Sequence, residues 1–137
     1  MTEITAKKGE FVNLVNGLFQ VQELKGKKFS LTVIKNIKTI EQELKDLENA
    51  GKPTKEFMDL AKQVNDIANE DTEDSKAKIL ALEEDNKELV ESRRLQIETV
   101  GKMMDEEATM ELITISEKDL PNDITAKQIS NIEKIIK

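Results

Sequence analysis

The sequence predicts a mainly α protein: an antiparallel helical hairpin or bundle with coiled-coil-like seams and a small two-stranded β-ribbon. Three observations carry this. Ala, Glu, Lys, Leu and Arg make up 61 of 137 residues, close to the roughly one-half typical of long solvated helices. Apolar residues are 37% and charged residues 36% of the chain, so a thick, many-layered core is not expected. Apolar side chains also recur every three or four positions through most of the length, the spacing that lines one face of a helix.

The chain reads as one helical domain, 1–137, with helices near 10–24, 30–50, 54–69, 75–108 and 126–136. The first, EFVNLVNGLFQVQEL, gathers Phe11, Leu14, Val15, Leu18, Phe19 and Val21, and Gly17 weakens it. After the KGKK loop, Ser30 is the expected cap of a second helix. Its stripe, Val33, Ile37, Ile40, Leu44 and Leu47, advances in steps of four and three, the seam of a coiled coil. Lys35, Lys38, Glu41, Lys45 and Glu48 fall opposite and stay in water. Gly51 and Pro53 stop this helix, glycine by taking the left-handed cap and proline by breaking the ladder.

Thr54 caps a third helix carrying Phe57, Leu60, Ala61, Val64, Ile67 and Ala68. The acidic segment NEDTEDS follows. Calcium loops need alternating oxygen ligands around a glycine; this segment has no glycine, and its acids suit the positive end of the next helix, capped by Thr72 or Ser75. The fourth helix carries the seam assigned to a partner or to register: Leu82, Asn86, Val90, Arg93, Ile97, Val100 and Met104, continuing from Ile79. Asn86 and Arg93 are polar positions on it: either they fix register at a cost in stability, or the middle of this helix projects and stays wet.

The period then changes. Met110–Ile115 is short and β-branched, a strand, and Thr2–Thr5 is its expected partner, so the ribbon joins residues 2–5 to 110–115. Leu120–Asp123 is a turn, and Thr125 with Gln128 forms a capping box for a last helix bearing Ile129, Ile132, Ile135 and Ile136.

Composition narrows function. There is no Cys, His, Trp or Tyr, which removes thiolate nucleophiles, zinc-finger ligands and the usual neutral-pH base. No Walker loop, dinucleotide fingerprint, nucleophile elbow or zinc-protease motif occurs. The reading is not an enzyme, with no cofactor, no metal and no catalytic residues. No apolar run reaches the ~20 residues of a membrane span, and the N-terminus lacks the apolar stretch of a secretory signal, so no membrane role is expected.

Net charge is −7, unevenly spread: residues 1–52 hold 9 Lys against 7 acids, whereas 53–137 hold 12 basic against 21 acidic residues. Nucleic acid is not an expected partner, since clustered Lys and Arg supply most of such affinity; the knot of Lys25, Lys27 and Lys28 reads as a solvated loop.

The order of segments, with a lysine-containing helix FSLTVIKNIKTIEQELKDLE and a tail MELITISEKDLPNDITAKQISNIEKII, resembles a group of small uncharacterised helical proteins encoded by bacteriophages. The 19 Lys against 2 Arg and the 14 Ile suit an A+T-rich coding genome. The resemblance implies a phage product in the infected cytoplasm or the virion, and supplies no site residues. The expected function is a non-catalytic helical interaction or oligomerisation protein, an accessory or assembly component whose partner is another protein or a second copy. The alternatives are an acidic inhibitor of a host nucleic-acid or defence enzyme, acting through residues 66–117, and small-ligand sequestration between subunits.

Overall fold

The computed structural model describes residues 1–137. Seven helices and two strands follow the order β1 (Thr2–Lys7), α1 (Lys8–Gln20), α2 (Lys27–Glu43), α3 (Lys45–Gly51), α4 (Lys55–Glu70), α5 (Ser75–Asp85), α6 (Lys87–Met104), β2 (Glu107–Leu112) and α7 (Ala126–Asn131). Single turns of 3-10 helix lie at Glu117–Asp119 and Glu133–Ile135. No helix is long and apolar enough to cross a membrane. The residues group into two compact units, 1–47 with 102–137, and 48–101.

The first unit is built on the ribbon. β1 and β2 pair antiparallel, Thr2 opposite Leu112 through Lys7 opposite Glu107. Alternation sends Ala6, Met110 and Leu112 inward, while the Thr5 and Thr109 hydroxyls meet on the other face at 2.7 Å. A two-stranded ribbon is marginal alone; here α1 and α2 cover it. Phe11, Leu14 and Leu18 of α1, Phe29, Val33 and Ile40 of α2, and Ile115, Ile132 and Ile135 of the tail are all essentially out of water. The whole 33–37–40–44–47 stripe is buried, and Lys35, Lys38, Glu41, Lys45 and Glu48 are exposed.

A polar clamp ties α2 to the end of the ribbon. Asn36 is 1% exposed; its Nδ2 donates to the Ile113 carbonyl at 2.9 Å and its Oδ1 accepts from the Ile113 N–H at 2.9 Å. The amide group thus acts as one more strand residue, satisfying backbone that the ribbon leaves behind.

Several boundaries differ from the sequence expectation. α1 starts at Lys8 because the Glu10 carboxylate accepts from the Lys7 N–H at 2.9 Å, closing the first turn. It ends at Gln20, where Val21 bonds back to Leu18 and the last turn tightens. α2 starts at Lys27 after Gly26, whose φ of 137° only glycine tolerates; the Ser30 hydroxyl is no cap and donates instead to the Leu24 carbonyl. The expected 30–50 and 75–108 helices are each interrupted by one residue, Leu44 (φ −96°, ψ 11°) and Asn86 (φ −116°, ψ 30°). Both interruptions fall inside a 3.5-residue stripe, which drifts by about 20° per heptad on a regular helix, so a local irregularity keeps the stripe on one side. At Asn86 the side chain also bonds back to the Leu82 carbonyl at 2.9 Å, competing with the backbone.

The final helix stops at Asn131 rather than 136. Ile132 (φ −120°, ψ 14°) breaks it and a 3-10 turn spans Glu133–Ile135; Ile115 then donates to the Ile135 carbonyl and Lys137 to the Ile115 carbonyl, a parallel bridge that holds Ile136 extended. The Thr125–Gln128 capping box is present in both directions. Strand β2 ends at Leu112, before the expected Ile115, because Ile113 pairs with Asn36.

Candidate functional site: the helical hairpin of residues 48–101

In the second unit α4 turns back through residues 71–74 into α5 and α6, giving an antiparallel hairpin. Thr54 caps α4, its hydroxyl accepting from Phe57 N–H at 3.2 Å. Asp71, in the left-handed conformation (φ 47°), ends it, and the Ser75 hydroxyl closes the turn by donating to the Ile67 carbonyl at 3.1 Å.

The two arms meet along half-buried rows. On α4 these are Phe57, Leu60, Val64 and Ile67; on α5 and α6 they are Ile79, Leu82, Asn86, Leu89, Arg93, Gln96 and Val100. Both rows advance strictly by three and four, the pattern of a coiled-coil seam. Of the residues assigned to this seam from sequence, Leu82, Asn86, Arg93 and Val100 lie on it. Val90 and Ile97 do not: they are 37% and 57% exposed, with Leu89 and Gln96 in their places. Met104 belongs to the other unit, where it packs over Gly9. Carrying the alternation through from Ile79, rather than taking two successive steps of four to reach Val90, would have found Leu89 and Gln96.

Arg93 and Gln96 have a structural task at the base of the hairpin. Helix α3 ends with carbonyls that no helical N–H can reach. Arg93 Nη1 donates to the Gly51 carbonyl at 2.9 Å, and Gln96 Nε2 donates to those of Ala50 and Lys52 at 2.8 and 2.6 Å. Gly51 therefore has no left-handed conformation, contrary to the sequence expectation, since the α3 end is capped from α6. The Arg93 guanidinium also sits 5.6 Å over the Phe57 ring, a favourable placement against the ring quadrupole. Arg94 points to solvent between Glu91 (2.7 Å) and Glu98 (3.1 Å). Its hydrogen bond from Arg94 draws the Glu91 carboxyl below the usual range, and Glu91 in turn raises Arg94.

The two sides of the hairpin differ. Residues advance by 100° along a helix, so Met58, Ala61, Asn65 and Ala68 follow one side of α4, none charged. Glu56, Asp59, Gln63 and Glu70 follow the other. The uncharged side continues across to Val90 and Ile97 of α6. Between the arms it forms an open groove of about 410 Å³ lined by Phe57, Leu60, Ala61, Val64, Ala68 and Val90, with Asn65 and Glu83 at its rim. A broader concavity of about 640 Å³ lies outside the Asn86 irregularity and is lined by Glu84, Asp85, Lys87 and Glu88 among others, a solvated surface.

Burial is sharply unequal. Of all buried apolar side chains only Leu60 lies in residues 48–101, while Met58, Leu80, Val90, Leu95 and Ile97 are exposed. The segment holds 8 Lys and Arg against 14 Asp and Glu, a net of −6. No protein-family model, curated protein or solved structure matches the chain.

Proposed function

We propose that this protein works by binding protein through its 48–101 hairpin, as a helical interaction and oligomerisation module rather than an enzyme. The observation that carries the reading is the hairpin's burial deficit: a 54-residue segment with one fully buried apolar side chain and a mainly apolar groove along one side, Glu83 its one charged lining residue. Segments this small are marginal on their own burial, and contiguous exposed apolar surface marks interaction sites. The resemblance of the α2 and tail segments to phage-encoded proteins supports an accessory or assembly role in the infected cytoplasm or the virion.

The test is affinity capture from the native host with the full chain and with a Val90→Glu/Ile97→Glu variant as baits. The reading predicts a protein, another copy included, held at near-stoichiometric level by the first bait and lost with the second. Equal recovery by both refutes it. The acidic-inhibitor alternative rests on the 14 acids of the same segment. It predicts capture that falls steeply with salt, whereas apolar packing changes little.

A further inference from the structure

The groove side of the hairpin is self-complementary. On α4 it presents the small Ala61, Asn65 and Ala68, with Met58 one turn earlier; on α6 it presents the branched Val90 and Ile97. Like against like would leave a gap between facing alanines and crowd the branched residues, whereas large against small lets helices interdigitate. The heights agree. Phe57 is level with Arg93, so Ala61, four residues on, is level with Val90, three residues back.

We propose that this side is covered by the same side of a second copy, α4 of each lying on α6 of the other, so that two hairpins close a four-helix bundle. The proposal rests on the interaction reading above and names the occupant of that surface. Sixteen residues of α4 span about 24 Å, and two helices side by side about 20 Å, so the pairing buries roughly 1,000 Å² in total, the low end for a stable interface. A net of −6 on each hairpin opposes it, so screening strengthens the pairing as salt rises.

The full chain, followed by sedimentation with interference optics because it has no Trp or Tyr, is expected to show a monomer–dimer equilibrium that tightens several-fold with added salt. Val90→Glu/Ile97→Glu raises the dissociation constant at least about a hundredfold, with helix content unchanged because both side chains are exposed. Leu95→Glu, 49% exposed on the opposite side, leaves it unaltered. With no native cysteine, single-cysteine variants report the arrangement: Ala61→Cys mixed with Val90→Cys cross-links, and neither does so alone.

A wild-type chain that stays monomeric at high micromolar concentration overturns the proposal, as does a dimer indifferent to Val90→Glu/Ile97→Glu, one that weakens with salt, or Val90→Cys cross-linking to itself as fast as the mixture. If the pure chain is monomeric but its bait still retains another protein through Val90 and Ile97, only this inference fails. If neither happens, the interaction reading fails with it.

Discussion

Asn36 offers the sharpest test of how the first unit is held together. Its amide makes two 2.9 Å hydrogen bonds with the N–H and carbonyl of Ile113 while being 1% exposed. Asn36→Ala removes both partners at once and strands two backbone groups in a half-buried place. Each such group costs about 1–3 kcal/mol, so the expected loss is about 3 kcal/mol in all. For a chain of this size that is roughly 12 °C in Tm, at near 4 °C per kcal/mol. Asn36→Leu restores apolar volume but not the hydrogen bonds, so a loss of similar size is expected. Circular dichroism melts and urea titrations read the stability, and amide exchange at Ile113 should accelerate in both variants. An Asn36→Leu protein within about 0.5 kcal/mol of wild type would show instead that apolar packing alone accounts for the site.

Three further predictions follow from single contacts. Gly17→Ala should destabilise by about 2 kcal/mol in urea titration despite the better helix propensity of alanine, because its Cβ would lie 2.8 Å from the Asn131 carbonyl oxygen and 3.0 Å from the Asn131 Cβ. Glu10 is held below its ordinary carboxyl value by the Lys7 N–H hydrogen bond and by Lys134. A carboxyl depressed on folding stabilises above its unfolded value and ceases to as pH falls through its folded value. Wild type should therefore exceed Glu10→Gln in Tm above pH 4.5, with the gap closing below it. Gln96→Ala leaves the Ala50 and Lys52 carbonyls without their donor and should cost about 1–2 kcal/mol in chemical unfolding; an unchanged midpoint would mean water caps α3 equally well.

Much of the fold was written in apolar spacing. The 33–47 stripe, the Thr54 cap, the Thr125–Gln128 box and the pairing of the two strands all follow from local rules acting on a few residues. What spacing could not reveal depends on contacts distant in sequence. Asn36 is one polar residue between Val33 and Ile37, and only its encounter with Ile113, 77 residues later, makes it a buried clamp. The last helix gives way to a 3-10 turn and then to an extended Ile136 because Ile115 bonds to that end of the chain, not because isoleucine spacing fails. Gly17 reads as a weak point in a helix until Asn131 lies against it. In the hairpin, Val90 and Ile97 are as apolar as true seam residues, so hydrophobicity alone places them there; the strict alternation through Leu89 and Gln96 sends them outward instead. That displacement is what gives the groove its apolar α6 wall, and so the candidate site became visible only with the structure.

Concentration-dependent hydrogen exchange shows whether the hairpin completes its burial on a second protein surface. If the hairpin relies on a second protein surface for part of its burial, amides of residues 55–70 and 87–100 should exchange quickly in dilute protein and slow markedly at high concentration, while the β1–β2 ribbon stays equally protected throughout. Strong protection of both helices that is identical at the lowest and highest concentrations would contradict it, for the hairpin would then be complete in a single chain.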